Sequence, residues 1–160
     1  MKIMVAYDGS PPSEAAVGEV LRRPWPEGSE VRLVTVVEAE QLVVPPAGVE
    51  VYGPLAERIR VTLRENSYRR IQAAMEKFRS RPELQPSYEL RDGSVKRALL
   101  QAIREWGADL VVLGSTGTSA IGRMLLGSVC HALLAHAPCN VEIVKVVEPH
   151  GTNPAPSVLD

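Results

Sequence analysis

The sequence predicts an α/β fold, an open parallel sheet with helices on both faces. Two observations predict it. Short apolar runs alternate with segments whose apolar residues recur at helical spacing, and strands separated by helices pair in parallel while the crossovers cover the sheet. A glycine-rich loop, Gly114-Ser115-Thr116-Gly117, directly follows one apolar run and leads into a helix-like segment. In open sheets of this class, ligands bind beyond the C-terminal ends of the strands, where such loops lie.

The elements follow in order. Ile3–Tyr7 is apolar throughout, as a strand buried on both faces requires. Asp8-Gly9-Ser10-Pro11-Pro12 breaks it, with Ser10 as candidate N-cap and Pro11 suited to the first helical position. A helix then runs to about Arg22, with Ala16, Val17, Val20 and Leu21 on one face; Pro24, Pro26 and Gly28 end it. Val31–Val37, rich in β-branched residues, is the second strand. Glu38 to Pro54 has no clean period and holds Pro45, Pro46, Gly48, Gly53 and Pro54, which predicts a long loop. It leaves the same sheet edge as the glycine loop and is a candidate ligand-responsive lid.

A second helix is expected from about Leu55 to Phe78, with Ile59, Leu63, Ile71, Met75 and Phe78 on a buried stripe. Leu84–Leu90 reads as the third strand, where Pro86 points to an edge position or a late start. Asp92-Gly93-Ser94 is a turn before an amphipathic helix marked by Val95, Ala98, Leu99, Ala102, Ile103 and Trp106, and stopped by Gly107. Leu110–Leu113 is the fourth strand. After the glycine loop, a helix is expected from near Ser128 to His136, and Ala137-Pro138 separates it from a last strand, Val141–Val147. Residues 1–147 read as one domain. The tail 148–160, with Pro149, Gly151, Pro154 and Pro156 and little to bury, is expected to be disordered.

Composition narrows the function. The chain of 160 residues carries 18 Lys and Arg against 19 Asp and Glu, a formal charge of −1. No basic excess recruits nucleic acid, and no apolar stretch approaches the ~20 residues that cross a bilayer. Ile3–Tyr7 is cut too soon by Asp8 to be a secretory signal. Cys130 and Cys139 make neither a disulfide framework nor a four-ligand metal cluster, and both read as buried small apolar residues. His131 and His136, five apart, lack the three-or-four spacing of a shared helix face, and His150 lies in the tail. A cytoplasmic protein is expected.

The glycine loop carries the chemistry. Gly114-x-x-Gly117 is followed, after nine intervening residues, by Gly127-Ser128 at a helix start. Glycine lets backbone N–H groups approach a ligand closely and adopt left-handed conformations. The helix N-terminus adds donors without intrahelical partners and the positive end of the dipole, so the arrangement suits phosphate. Asp8 lies just past strand one and Gly114 just past strand four. The two loops share a pocket only if those strands are neighbours, which spacing leaves open.

These residues resemble the universal stress protein family, in its nucleotide-binding branch. The opening Ile3-Met4-Val5-Ala6-Tyr7-Asp8-Gly9-Ser10 with Ser13 is similar to the family's first strand and turn. Ala108-Asp109-Leu110-Val111-Val112-Leu113-Gly114 resembles its fourth strand, and His136-Ala137-Pro138-Cys139-Asn140-Val141 its last turn, with Asn140 in place of a proline. The G-x2-G-x9-G-S pattern matches the family's ATP-binding pattern without a gap.

The resemblance implies a Rossmann-like, adenine nucleotide alpha hydrolase-like sheet of five parallel strands in which strands one and four adjoin. It implies ATP, or AMP or ADP, as ligand, with Mg2+ as a candidate companion and Asp8 its candidate contact; no other metal-binding side chain is implied. Asp8 would face the ribose, Ala6 would lie beneath the adenine, and Val36 would offer backbone groups to the adenine edge. Leu113, Gly114, Thr116 and Gly117 would wrap the ribose and first phosphates. Gly127, Ser128, Val129 and Cys130 would hold the phosphate tail, with Cys130 in place of a hydroxyl residue. The resemblance further implies a homodimer through the last strand, Asn140 to Val147, and a role as stress-response sensor or regulator.

No catalytic set is recognisable. Gly127-Ser128 lacks the adjacent Lys of a Walker loop, and the dinucleotide fingerprint is absent after strand one. Arg123, inside the loop, is a candidate phosphate neutraliser. The leading reading is a nucleotide-binding regulator with at most slow ATP hydrolysis. The alternative is a slow Mg-dependent ATPase or phosphotransferase that uses Asp8, and a third is a scaffold without nucleotide.

Overall fold

The computed structural model describes residues 1–38, 52–115 and 126–146, the side chains of 52–54 excepted. The elements are β1 (Lys2–Ala6), α1 (Pro11–Arg22), β2 (Glu30–Val37), α2 (Tyr52–Lys77), β3 (Ser87–Asp92), α3 (Val95–Trp106), β4 (Leu110–Gly114), α4 (Ser128–His136) and β5 (Asn140–Val144). The five strands are parallel and run in the order β3-β2-β1-β4-β5. β1 and β4 are therefore neighbours, with Ala6 opposite Leu113, and the loops that leave them emerge side by side.

Side-chain alternation divides the core in two. Ile3, Val5, Val31, Leu33 and Val112 point to the face covered by α1 and α2, where Val17, Val20, Ile71 and Phe78 bury against them. Met4, Val34, Val111 and Leu113 point to the other face, covered by Leu99 and Ile103 of α3 and Leu133 of α4. Apolar residues on both strand faces are what a sheet covered twice requires.

Three element boundaries differ from the sequence expectation by three residues. β3 begins at Ser87 because Leu84 belongs to a 3-10 turn (Pro82–Leu84), Gln85 takes a left-handed φ of 44°, and Pro86 brings no N–H. Leu84 is still buried, so its apolar demand is met from the turn. β3 does lie at the sheet edge, as Pro86 suggested. The last strand ends at Val144 rather than Val147: β4 stops at Gly114, and the Ser115 N–H donates to the Val144 carbonyl at 2.9 Å as the last rung. α2 starts three residues early, at Tyr52, because the first helical turn tolerates Gly53 and the missing N–H of Pro54.

α2 is also longer than the sheet is tall. Its 26 residues span about 39 Å, against about 26 Å for β2, the longest strand. Ile71, Ala74 and Phe78 are buried, but Leu63, expected on the same stripe, is exposed along with Leu55 and Val61. From Ile71 onward the helix buries apolar residues against the sheet; before that it meets β3 through exposed side chains, Tyr68 edge-on to Tyr88 and Arg64 paired with Asp92. Its lower half is tied to α1, where Glu14 accepts from the Tyr7 hydroxyl at 2.6 Å and pairs with Lys77.

Candidate functional site

The turn after β1 is built from its own side chains. Asp8 Oδ1 accepts from the Ser10 N–H at 2.9 Å and from the Ser10 hydroxyl at 2.5 Å. Ser10 caps α1, its side chain accepting from the Ser13 N–H, and Pro11 opens the helix as expected. The Ser13 hydroxyl donates to the Ser10 carbonyl at 2.9 Å and accepts from the Asp8 N–H at 3.4 Å. Asp8, Ser10 and Ser13 are thus one hydrogen-bonded unit. Gly9 sits at φ 78°, where a Cβ would also meet the Arg70 side chain at 2.8 Å. Below the turn, the Thr35 hydroxyl donates to the Tyr7 carbonyl at 2.7 Å and the Tyr7 N–H to the Val34 carbonyl at 2.9 Å.

The neck of the glycine loop is pinned from three sides. The Ser115 N–H is held by Val144, and its carbonyl accepts from the Gly127 N–H at 3.0 Å. The Cys130 thiol donates to the Gly114 and Ser115 carbonyls at 3.3 and 3.4 Å. Burial pushes that thiol's pKa up against the lowering effect of backbone N–H groups nearby, so it stays a protonated donor. The Gly127 N–H is spent on Ser115, which leaves the N–H groups of Ser128, Val129 and Cys130 as the first-turn donors of α4. Among the described residues, no side chain caps that helix.

Neither Gly114 nor Gly127 has a positive φ; Gly127 stands at −60°. Handedness, one of the two sequence rationales for these glycines, does not explain them. Gly114 is explained instead by Pro12, whose backbone lies where a Cβ would be.

Between the two loops lies an apolar floor. Ala6 and Val36, both half-buried, pack on the same core as Val95 of α3, Leu126, Val129 of α4 and Ile143 of β5. Leu113 is buried beneath them. At the far side, the Glu38 carboxylate accepts from the Val95 N–H at 3.5 Å, at the start of α3. The fold brings together Ala6, Asp8, Val36, Leu113, Gly114, Gly127, Ser128, Val129 and Cys130 at one edge of the sheet. Thr116, Gly117 and Arg123 lie outside the described residues, as do 39–51 of the expected lid, His150 and the tail. Sequence reasoning missed Pro12, Val95 and Leu126. Val95 and Leu126 were legible as apolar residues bordering a helix start; nothing in the spacing marks Pro12. Among the described residues, no group of three or more His, Cys, Asp and Glu is placed to hold a metal ion, and no helix is long and apolar enough to cross a membrane.

A model of the universal stress protein family matches residues 1–145. A relative from Staphylococcus epidermidis is 40% identical over 60 residues, which cover 37% of this chain and 36% of that protein. The universal stress protein YxiE of Bacillus subtilis is 27% identical over 146 residues, 90% of this chain and 98% of its own length. Among solved structures, the universal stress protein UspA from Lactobacillus plantarum superposes with a TM-score of 0.76 at 21% identity, over 90% of this chain and 97% of that one. A family member from Arabidopsis thaliana with AMP bound gives 0.55 at 18% identity, over 92% of each chain. The two structural likenesses establish the fold.

Proposed function

The chain belongs to the universal stress protein family, and from that premise we propose that it binds an adenine nucleotide, ATP or AMP, at the C-terminal edge of its sheet and acts as a stress-response regulator. The observation that carries this reading is the meeting, across the β1–β4 pairing, of the Asp8 turn with the N-terminus of α4, which no described side chain caps. The AMP bound by the Arabidopsis relative supports the same ligand class.

The residues fit such a ligand. Ala6 and Val36 offer a flat apolar surface for the base, and small side chains there let a ring lie close to the strands. The Asp8 carboxylate, fixed by Ser10, faces the sugar and is the candidate contact for Mg2+. The N–H groups of Ser128, Val129 and Cys130, with the Ser128 hydroxyl, take the phosphates, favoured by the positive end of the α4 dipole. The motif assigns Thr116 and Gly117 to the same cradle as Gly114, while Gly127 and the Cys130 thiol serve it by holding its neck. Two copies pair through β5 as a homodimer.

Mass spectrometry of small molecules released by denaturing freshly purified protein tests the reading. An adenine nucleotide near one per chain is expected, with ATP turnover slower than about 1 per second, the low end for ordinary enzymes. Protein that releases none and also fails to bind ATP or AMP by calorimetry contradicts it. Turnover at enzyme rates that is lost in Asp8→Ala supports the ATPase or phosphotransferase reading instead.

A further inference from the structure

Gly114 is the first glycine of the loop motif, yet its want of a side chain is explained within the protein. A Cβ built there lies 2.5 Å from the carbonyl carbon and the Cβ of Pro12 and 2.7 Å from its carbonyl oxygen. Backbone atoms cannot rotate away from such a contact as a side-chain tip can. We propose that Pro12 and Gly114 form a positioning contact: the first turn of α1 is seated directly on the loop neck, which sets the Asp8 turn at a fixed distance from the α4 N-terminus.

The two sides of this contact differ in stiffness. Gly114 cannot retreat, because its carbonyl and that of Ser115 are held by Cys130 and Gly127, and Ser115 is anchored to β5 through Val144. The turn can move. It is bonded as a unit through Asp8, Ser10 and Ser13, and its outer side meets the flexible Arg70 side chain, whose guanidinium donates to the Asp8 carbonyl at 3.5 Å. A side chain at 114 therefore pushes the α1 first turn outward, toward Arg70, and takes the Asp8 carboxylate with it. The helix end stays in place, where Val17 and Val20 are fully buried. The consequence for ligand recognition rests on the nucleotide reading above: the Asp8 carboxylate is the group that would bond the ribose hydroxyls, the contact sets its distance from the α4 N-terminus, and displacing it weakens the discrimination of ribose from deoxyribose.

Gly114→Ala tests this in two arms. Without ligand, hydrogen exchange should accelerate at the amides of Ser13 and Glu14, which bond to Ser10, while His131 of α4 keeps its protection. With ligand, the wild type should prefer ATP to 2′-deoxy-ATP by about tenfold, the size of one hydrogen bond to a charged group. In Gly114→Ala that preference should collapse, with the affinity for inorganic tripolyphosphate falling less than that for ATP. Pro12→Gly, which loosens the same contact without adding an atom, should reduce the preference part-way and covers the case in which Gly114→Ala does not fold. Unchanged exchange at Ser13 and Glu14 in both variants overturns the proposal, as does tripolyphosphate affinity falling in step with that of ATP. Failure of the wild type to bind any nucleotide removes the nucleotide reading and leaves the exchange arm to decide the contact.

Discussion

At Asp8, one carboxylate oxygen holds the turn, whereas the proposed ligand contact rests on the charge, so substitution separates the two. Asp8→Asn keeps an acceptor for Ser10 and removes the charge. Its thermal midpoint should stay near that of the wild type, while ATP affinity falls about tenfold or more, as expected for a lost charge-assisted hydrogen bond, and loses its Mg2+ dependence. Calorimetry with and without Mg2+, beside a melting curve, measures both. Cys130 makes a second residue-scale prediction. It is 2% exposed with its thiol pKa pushed up by burial, so iodoacetamide should leave it unlabelled in the native protein and label the half-buried Cys139 first. Peptide mapping that finds native Cys130 labelled as fast as Cys139 contradicts the clasp at the loop neck. Such details were invisible in the sequence. The motif predicted where Gly114 and Gly127 sit, but their reasons, Pro12 against one and Ser115 on the other, are contacts between residues far apart in the chain.

α2 and β5 carry the predictions that belong to elements. Glu14 links α1 to α2: partial burial works against its charge, but the hydrogen bonds from Lys77 and Tyr7 hold its carboxyl below the ordinary value of 4.5. The folded state therefore binds this proton less readily than the unfolded chain. The stabilisation is present above about pH 4.5 and is lost as pH falls through the lower folded value. In Glu14→Gln, the drop in unfolding free energy below pH 4.5 should be shallower, as urea titrations at several pH values would register. On β5, the Asn140 N–H donates to Asp109 and the Val144 carbonyl accepts from Ser115. Alternation then leaves the N–H groups of Val141 and Ile143 on the free edge of the sheet. Val141→Pro should make the protein monomeric in light scattering while the sheet persists, because proline is tolerated on edge strands; a dimer that survives moves the interface elsewhere. Element types were legible from periodicity, since apolar runs buried on two faces and a 3.6-residue stripe differ plainly. Boundaries were less so: β3 starts where Pro86 allows, and β5 stops where its neighbour β4 stops, which is a property of the pair.

For the molecule as a whole, the strand order β3-β2-β1-β4-β5 makes the site possible by setting the β1 and β4 loops side by side. Spacing could not supply that adjacency, because pairing between strands about a hundred residues apart leaves no local mark; the resemblance supplied it, and the structure bears it out. The upper half of α2 shows the converse limit. Leu63 was expected on the same stripe as Ile71, yet it stays exposed while Ile71 is fully buried. The central claim is that this edge holds an adenine nucleotide with its phosphates on the α4 N-terminus. Calorimetric titration with ATP, comparing the wild type with Gly127→Val, tests it most directly, since the φ of −60° at Gly127 accepts a valine without backbone strain. The account predicts micromolar binding near one ATP per chain in the wild type and none in a variant that keeps its fold. Equal ATP binding by the two proteins would contradict it.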